Sequence, residues 1–266
     1  MKKIIALALF MALMLTSLFA FTSCADVEET IVIGYTIYDP MNYEDENGNL
    51  VGFDTELAKA VFEKLGYKAT FKKIEWGYKY TELNSNTIDC IWNGFTANTS
   101  DPDGVARSEK VDFSYNYMRN KQVIVTTSAL VSTVTDTASL AGKVGAVETG
   151  SAGDAYMKNL TGAVKKTVAS QLEAMRELAL GTADFVVVDE QLAKAYVGVG
   201  DYANLAIVET ISGTEEFYAI GFKKGSDLTD KVNKALEELA VDGTIARIAE
   251  KYGVSHTVII DFSNQK

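Results

Sequence analysis

The sequence predicts an α/β protein built from two sets of parallel strands joined by helices. From residue 30 onward, short apolar runs alternate with segments in which apolar residues recur at helical spacing. That alternation is typical of parallel βαβ units. The pattern restarts near Met118–Gln122, so the units fall into two sets. The chain has 266 residues, 47% of them hydrophobic, which is enough for one large domain or two of ordinary size.

The amino terminus predicts export and lipid attachment. Two lysines precede an apolar run from Ile4 to Phe21, the pattern of a secretory signal peptide. The run leads through small residues to Cys24 and resembles the lipobox of bacterial lipoproteins, in which this cysteine becomes the lipidated first residue. We expect a signal peptide over 1–23, a lipidated tether over 24–29, and an extracytoplasmic protein anchored to the cell membrane. An uncleaved anchor is the alternative, because the run is barely long enough to span a bilayer.

The composition excludes several classes of function. A net charge of −11 argues against nucleic acid as a partner. The single histidine, His256, and two cysteines provide no metal-ligating cluster, so we expect neither a metal nor a cofactor. If Cys24 carries lipid, Cys90 has no disulfide partner and is expected to be a small buried hydrophobe.

The first set of elements begins at residue 30. Asp54 is a favourable N-cap for a helix that Gly66 closes. A second, short helix is expected around Tyr78–Leu83. The predicted strands of this set are Thr30–Gly34, Lys68–Ile74 and Ile88–Trp92.

The second set begins at the predicted strand Gln122–Thr126. A helix is expected to follow Gly150, and Ser170 with Glu173 forms a capping box that opens another. Phe185–Val188 is a continuous apolar run, as expected of a strand covered on both faces. The remaining predicted elements are the strands Lys143–Val147, Lys165–Val168, Leu205–Glu209 and Phe217–Phe222 and the helices Asp227–Val241 and Thr244–Tyr252.

Polar and aromatic residues follow the carboxyl ends of five predicted strands. Ligands of an open parallel sheet bind in the crevice outside those ends, so we expect these groups to form one cleft. For Tyr38 and Trp76, a place at the edge of the core is the alternative to contact with a ligand. The groups are Tyr35–Tyr38, Trp76, Asn93–Thr96, Glu148–Ala152 and Asp189.

Three of the candidate residues are suited to a carboxylate. The guanidinium of Arg107 can donate two parallel charge-assisted bonds, a geometry that lysine cannot reproduce. Thr96 adds a hydroxyl, and Ser151 stands at a helix start whose free N–H groups attract an anion. The alternatives are an arginine on the surface and a serine that only caps its helix.

Asp189 ends the apolar strand Phe185–Val188, where an unpaired buried carboxylate would be costly. It therefore requires a cation, either from a ligand or from Lys194. A carboxylate site beside an acidic residue that binds an ammonium group describes an α-amino acid zwitterion.

These features resemble a known family, the polar amino acid solute-binding proteins of bacterial ABC importers (extracellular solute-binding protein family 3). The most specific matches are Gly52–Ala58 (GFDTELA) and Trp92–Thr96 (WNGFT), and further matches extend over nearly the whole mature chain. The resemblance implies a periplasmic-binding-protein fold of two lobes, joined by two crossover hinge strands. Lobe 1 would comprise 30–118 and 215–266, and lobe 2 would comprise 119–214.

By matching motif, the resemblance also implies roles for the residues of the cleft. Tyr38 and Trp76 would stack on the side chain of the ligand, and Asp189 would bind its α-amino group. Ala152, beside Ser151, completes the predicted set. The α-carboxylate would be bound by the side chains or backbone groups of Arg107, Thr96, Ser151, Asn93 and Gly94.

The chain departs from the family pattern in two places. Extra residues, Asp101–Gly104, precede Arg107 and leave its register to the pocket open. Glu148 stands where some relatives have lysine or glutamine. A carboxylate there would repel acidic ligands and favour a cationic or neutral polar side chain. The alternatives are that Glu148 points to solvent or pairs with a lysine of the other lobe.

The resemblance implies a monomeric receptor that catalyses no reaction and delivers a free amino acid to the transmembrane subunits of an ABC permease. An enzyme is one alternative, because a few relatives of this fold are dehydratases; Glu148 and Asp189 would be its only candidate acid–base pair. A ligand-sensing module is the other alternative, although no kinase segment accompanies it in the sequence.

Overall fold

The computed structural model describes residues 29–265 as two lobes, each built on a five-stranded sheet with helices packed against it. The predicted signal peptide and Cys24 lie outside the described residues. Within 29–265, no helix has both the length and the apolar character needed to cross a membrane.

The first part of the chain supplies most of one sheet. Its strands are β1 (Thr30–Tyr35), β2 (Tyr43–Glu44), β3 (Leu50–Val51), β4 (Lys68–Lys73), β5 (Cys90–Ile91) and β6 (Asp112–Phe113). Its helices are α1 (Phe53–Lys64), α2 (Lys79–Asn84) and α3 (Arg107–Lys110), with a 3-10 turn at Trp76–Tyr78.

The chain then crosses to the other lobe and returns. The crossing strand is β7 (Met118–Asn120). The second lobe contains β8 (Gln122–Thr127), β9 (Val144–Glu148), α4 (Ala152–Tyr156), β10 (Val164–Val168), α5 (Gln171–Ala179), β11 (Phe185–Asp189), α6 (Glu190–Tyr196) and β12 (Leu205–Ser212). The return is β13 (Glu216–Tyr218), followed by β14 (Gly221–Phe222), α7 (Leu228–Val241) and α8 (Thr244–Lys251).

The first sheet has the strand order β4-β1-β5-β14-β6. β1 pairs in parallel with β4 and β5, whereas β14 pairs antiparallel with β5 and β6. Four strands therefore run in one direction. Only β14, which the chain reaches after its return from the other lobe, opposes them.

The second sheet repeats this plan with the strand order β10-β9-β11-β8-β12. β9 pairs in parallel with β10 and β11, and β8 pairs antiparallel with β11 and β12. The opposing strand is again the one that follows a crossing. The prediction of two mostly parallel sheets flanked by helices is therefore confirmed.

The two crossing strands pair with each other. β7 and β13 form an antiparallel ribbon in which Glu216 lies opposite Asn120 and Tyr218 lies opposite Met118. Glu216 and Asn120 are buried although both are polar. The ribbon thus places two buried polar side chains between the lobes.

Helix α1 differs from its prediction at its start. It begins directly after Gly52, and Asp54 lies fully buried in its first turn instead of capping it. Gly52 has a φ of +125°, and a Cβ atom there would lie 2.2 Å from the carbonyl oxygen of Met41, so the site requires glycine. The carboxylate of Asp54 accepts a hydrogen bond from the backbone N–H of Gly94 at 2.7 Å. It therefore ties α1 to the loop that follows β5.

The predicted strand Phe217–Phe222 is in fact two strands. β13 ends at Tyr218 and pairs with β7, whereas β14 begins at Gly221 and enters the first sheet. The chain has to change partners between them, and this breaks the strand. The short strand β5 contains Cys90, which is fully buried as predicted.

Large aromatic side chains support the loop after β5. Trp92 packs edge-on against Phe62, with ring centroids 6.1 Å apart, and lies 6.1 Å from Tyr117. Tyr117 in turn lies 6.5 Å from Tyr218 of β13. All four aromatic side chains are fully buried, and burying each ring stabilises the fold by about 1.5–3 kcal/mol. The loop at 93–96 therefore rests on a rigid base.

Candidate ligand-binding site

Nine of the ten predicted site residues line one cavity between the lobes, and all nine are buried. The cavity volume is about 10 Å³, which is room for about one water molecule. Gln171 also lines it, although the sequence indicated only that this residue opens a helix. The lining residues are Trp76, Asn93, Gly94, Thr96, Arg107, Glu148, Ser151, Ala152, Gln171 and Asp189.

Arg107 lies at the start of α3 with its guanidinium in the cavity wall, only 1% exposed. Its Nε donates to Oδ1 of Asp101 at 2.9 Å. One terminal nitrogen donates to the carbonyl oxygen of Thr96 at 3.1 Å, and the other donates to that of Gly150 at 3.4 Å. Arginine has five N–H donors, so two remain that no described residue accepts. Those two can bind a carboxylate.

The extra residues before Arg107 anchor it rather than displace it. Asp101 bonds Arg107 through one oxygen and Nζ of Lys110 through the other, at 2.9 Å. Lys110 also bonds Asp103 at 2.7 Å. Burial would raise the pKa of Asp101, but the cations Arg107, Lys79 and Lys110 hold it below its ordinary value. Asp101 is therefore an ionised support for the arginine.

Lys79 is a second buried cation, which the sequence did not indicate. Its side chain is 2% exposed, and Nζ donates to the carbonyl oxygen of Gly150 at 3.0 Å. Nζ also lies 4.9 Å from the ring centroid of Trp76. Burial, followed by repulsion from Arg107, lowers the pKa of Lys79 to about 7. Lysine and arginine of one lobe thus meet the same carbonyl oxygen of the other lobe.

Thr96 and Ser151 face the cavity, and each already has a partner. The Thr96 hydroxyl donates to Oε2 of Glu216 at 3.2 Å. The Ser151 oxygen accepts the N–H of Asp154 at 3.0 Å and caps α4, so the capping role considered from the sequence is present. Because the cap uses only its oxygen lone pair, the Ser151 hydroxyl hydrogen can still be donated to a ligand.

Asp189 is surrounded by side-chain amides. Its Oδ1 accepts from Asn120 at 2.7 Å and from Gln122 at 2.6 Å, and its Oδ2 accepts from Gln171 at 2.5 Å. Burial raises the pKa of Asp189, and these amides act in the opposite direction. No cation of the described residues forms an ion pair with it.

The alternative partner considered for Asp189 was wrong. Nζ of Lys194 pairs with Glu190, one helical turn away, at 3.1 Å. Because that lysine is occupied, the buried carboxylate of Asp189 remains open to a cation supplied by a ligand.

Glu216 is a buried acidic residue that the sequence analysis missed. It lies at the start of β13 and accepts from Asn120 at 3.0 Å and from Gln122 at 2.9 Å, the same two amides that bind Asp189. Burial, and next the charge of Asp189, raise the pKa of Glu216 to about 7. No signal in the sequence marked it, because its position depends on the pairing of β13 with β7.

Glu148 ends β9 and lies in the cavity wall, 3% exposed. Its Oε1 atom is buried and has no hydrogen-bond partner among the described residues. Burial, and next the charge of Asp189, raise the pKa of Glu148 to about 8, although Lys79 and Arg107 act in the opposite direction. The solvent-facing alternative is therefore wrong, and no lysine between residues 29 and 265 lies within ion-pair distance.

The two predicted aromatic residues occupy different places. Trp76 lines the cavity, with its ring edge-on to Phe95 at 5.3 Å. Tyr38 does not line it: its hydroxyl bonds that of Tyr218 at 2.6 Å, and its ring packs against Gly94. The alternative of a place at the edge of the core therefore describes Tyr38, and the predicted stacking on a ligand is not supported for it.

The cavity has charged groups of both signs in its wall. Arg107 supplies the cationic group of the wall, and Asp189 and Glu148 supply the acidic groups. A zwitterion with its carboxylate at the first and its ammonium group at the second is complementary to both. Within residues 29–265, no group of histidine, cysteine, aspartate and glutamate side chains is arranged to hold a metal ion.

Comparison with known proteins gives consistent results. The sequence model of the bacterial extracellular solute-binding proteins, family 3, matches residues 31–255. An arginine-binding extracellular protein of Bacillus subtilis (strain 168) is 28% identical over 245 residues, covering 88% of this chain and 92% of that protein. A probable amino-acid ABC transporter-binding protein of Haemophilus influenzae is 30% identical over 262 residues, covering 94% and 96%.

A solved structure shares the fold. An ancestral arginine-binding protein bound to arginine superposes with a TM-score of 0.77 at 35% sequence identity. The match covers 85% of this chain and 98% of that one. The similarity therefore includes both lobes and the cavity between them.

Proposed function

The chain belongs to the bacterial extracellular solute-binding proteins, family 3, and from that premise we propose that it captures a free α-amino acid in the cavity between its lobes. It is a binding protein and not an enzyme. The Bacillus subtilis and Haemophilus influenzae relatives are binding proteins too. The dehydratase alternative is therefore not supported.

The observation that carries this proposal is the pairing of two incomplete ion sites in one cavity. Arg107 has two N–H donors that no described residue accepts, and Asp189 has amide partners but no cation. An α-carboxylate completes the first site and an α-ammonium group completes the second. Because both sites are desolvated, each pairing is stronger than it would be in water.

The ligand carries a cationic side chain in this proposal. Glu148 presents a buried oxygen without a partner, and its pKa, raised by burial to about 8, reflects the cost of a negative charge at this position. A guanidinium or ammonium group on the ligand would neutralise it, and Trp76 offers an aromatic face to the same cation. The arginine bound by two of the compared relatives supports this choice.

The test is a panel of amino acids titrated by calorimetry into the wild type and the Glu148→Gln variant. Arginine, lysine or ornithine should bind tightest, and should lose at least about tenfold on Glu148→Gln, because a charged pair is replaced by a neutral one. Glutamine should lose much less. Glu209→Gln, at an exposed position within β12, is the matched control. Glutamate or aspartate as the tightest ligand would exclude the proposal.

Delivery to the transmembrane subunits of an ABC permease belongs to the same proposal, and the transporter-associated relative supports it. The lobes, 30–118 with 215–266 and 119–214, close on the ligand by bending at β7 and β13. The receptor works outside the cytoplasm as a monomer, attached to the cell membrane through lipid on Cys24.

A further inference from the structure

Two buried carboxylates of the binding site share the same hydrogen-bond donors. The side-chain amide of Asn120 donates to Asp189 at 2.7 Å and to Glu216 at 3.0 Å. The amide of Gln122 donates to Asp189 at 2.6 Å and to Glu216 at 2.9 Å. In each case the acceptors are Oδ1 of Asp189 and Oε2 of Glu216. One oxygen of each carboxylate is therefore linked to its counterpart through two bridging NH₂ groups.

The pair joins the hinge ribbon to the cavity. Glu216 and Asn120 lie opposite each other in the ribbon of β7 and β13, and Gln122 is the first residue of β8. Asp189 lines the cavity, and so does Thr96, whose hydroxyl donates to Glu216 at 3.2 Å. Glu216 is thus bonded directly to Thr96, which faces the ligand, and is linked to Asp189 through the shared amides.

The surroundings do not neutralise two negative charges. Asp189 and Glu216 are each 5% exposed, and neither forms an ion pair with a described residue. Arg107, whose charge acts on Glu216, is already bonded to Asp101. The charged and titratable groups that act on the pair are Arg107, Glu148, Tyr38 and Tyr218, with Lys79 acting on Glu148.

We propose that Glu216 is a positioning residue for the α-ammonium group of the ligand: it shares one proton with Asp189 in the empty site, and that proton leaves to solvent when the ammonium group enters. The inference rests on the proposed binding of an amino acid. The net charge of the site is unchanged, because one positive charge arrives as the ligand's ammonium group and one leaves as the proton. Asp189 contacts the ligand, and Glu216 acts through Asp189 and Thr96.

The proposal predicts proton-linked affinity. If the empty site holds one proton that the bound site does not, affinity rises about tenfold per pH unit below the pKa of the pair and levels off above it. Burial and the charge of Asp189 place the pKa of Glu216 at about 7, so the change falls in an accessible range.

The experiment is calorimetric titration with L-arginine at about pH 6, one unit below the pKa of about 7, in buffers of low and high ionisation enthalpy. Observed enthalpies that vary with the buffer are expected of the wild type, in which both Glu148 and the pair can release a proton. In Glu148→Gln only the pair remains, and release of about one proton per ligand is expected. Glu216→Gln should release about one proton fewer than the wild type and should flatten the dependence of affinity on pH.

Two comparison variants locate the source of the proton. Glu215→Gln alters the neighbouring residue, whose side chain is 60% exposed, and should leave proton release unchanged. Glu148→Gln should still release the proton that Asp189 and Glu216 hold. L-arginine binding without proton release, or equal release from Glu216→Gln and the wild type, would overturn the inference while leaving amino acid binding intact. Failure of every amino acid to bind would remove the proposed function as well.

Discussion

Arg107 acts through the number and direction of its donors as well as through its charge. Three of its N–H groups are bonded to Asp101, Thr96 and Gly150. These bonds hold the planar group in place, so the two remaining N–H groups point in fixed directions. A lysine ammonium at the same position could not make the three supporting bonds and the two ligand bonds together.

Arg107→Lys should weaken ligand binding by about 2–3 kcal/mol, because the bidentate pair with the α-carboxylate is lost in a buried site. Calorimetry on the purified chain measures the loss. Arg119→Lys is the control, because that side chain is half exposed and pairs with the exposed Glu215. Equal affinity of wild type and Arg107→Lys would show that Arg107 does not touch the ligand.

Sequence reasoning could find the site residues that follow the ends of strands. The rule that ligands bind outside the carboxyl ends of parallel strands brought Trp76, Thr96, Glu148 and Asp189 to one cavity. Tyr38 obeys the same rule but packs against Tyr218, since the rule fixes where a residue lies and not where its side chain points.

The missed residues depend on tertiary pairing. Glu216 enters the site because β13 lies beside β7, and Lys79 does so because α2 approaches the loop at Gly150. Gln171 opens α5, where a polar residue is expected for helix capping alone. No local pattern distinguishes these three from solvated residues.

At the scale of elements, the fold was predictable wherever the apolar residues kept the spacing of a strand or of a helix throughout a segment. The strands β1, β5, β8, β9 and β11 and the helices α7 and α8 follow directly from their apolar residues, whereas β6 was not predicted. The break between β13 and β14 could not be predicted, because the residues on both sides are apolar and only the change of sheet partner separates them.

The packing of α4 on β11 is tight enough to test. Gly153 lies in the first turn of α4, and a Cβ atom there would come within 2.7 Å of the carbonyl oxygen of Val187. Alanine normally favours a helix over glycine by about 1 kcal/mol. Here we expect the opposite sign: Gly153→Ala should destabilise the protein by about 1–3 kcal/mol, because backbone must shift to admit the methyl group.

Urea unfolding of the empty protein measures this effect as a lower midpoint for Gly153→Ala. Gly77→Ala is the matched control, since its Cβ atom would meet Thr149 at 3.4 Å, an ordinary contact. A midpoint for Gly153→Ala equal to or above that of the wild type would mean that α4 is free to move away from β11.

At the scale of the whole molecule, buried acidic groups make the empty protein sensitive to pH. Burial raises the pKa of Asp54 to about 7, that of Glu216 to about 7 and that of Glu148 to about 8. The folded state therefore keeps protons that the unfolded chain has already lost between about pH 4.5 and 8. Stability must fall as pH rises through that window.

The empty protein should accordingly melt at its highest temperature near about pH 5 and at a lower temperature near about pH 8. Lys79, whose pKa is lowered to about 7, acts in the other direction only above that pH. Thermal melts of ligand-free protein across this range provide the test, and Glu216→Gln should show a shallower decline. A melting temperature that rises steadily from pH 5 to 8 would contradict the burial of these carboxylates.

Attachment of the molecule to the membrane should depend on Cys24, because two acyl chains give stable anchoring where one does not. This residue lies outside the described part of the chain. A Cys24→Ser variant with the signal peptide otherwise intact should lose labelling by palmitate and leave the membrane fraction. Continued labelling of the variant would rule out this cysteine as the site of lipidation.

β14 completes the first sheet from the far end of the chain. It lies between β5 and β6, and α7 and α8 follow it. A chain made and exported amino terminus first can therefore finish the second sheet while the first still lacks an inner strand. Closing that gap spans the whole of the second lobe, which slows it. Until then, the vulnerable intermediate is a first lobe in which β6 is unpaired and one edge of β5 is open to proteases and to other nascent chains.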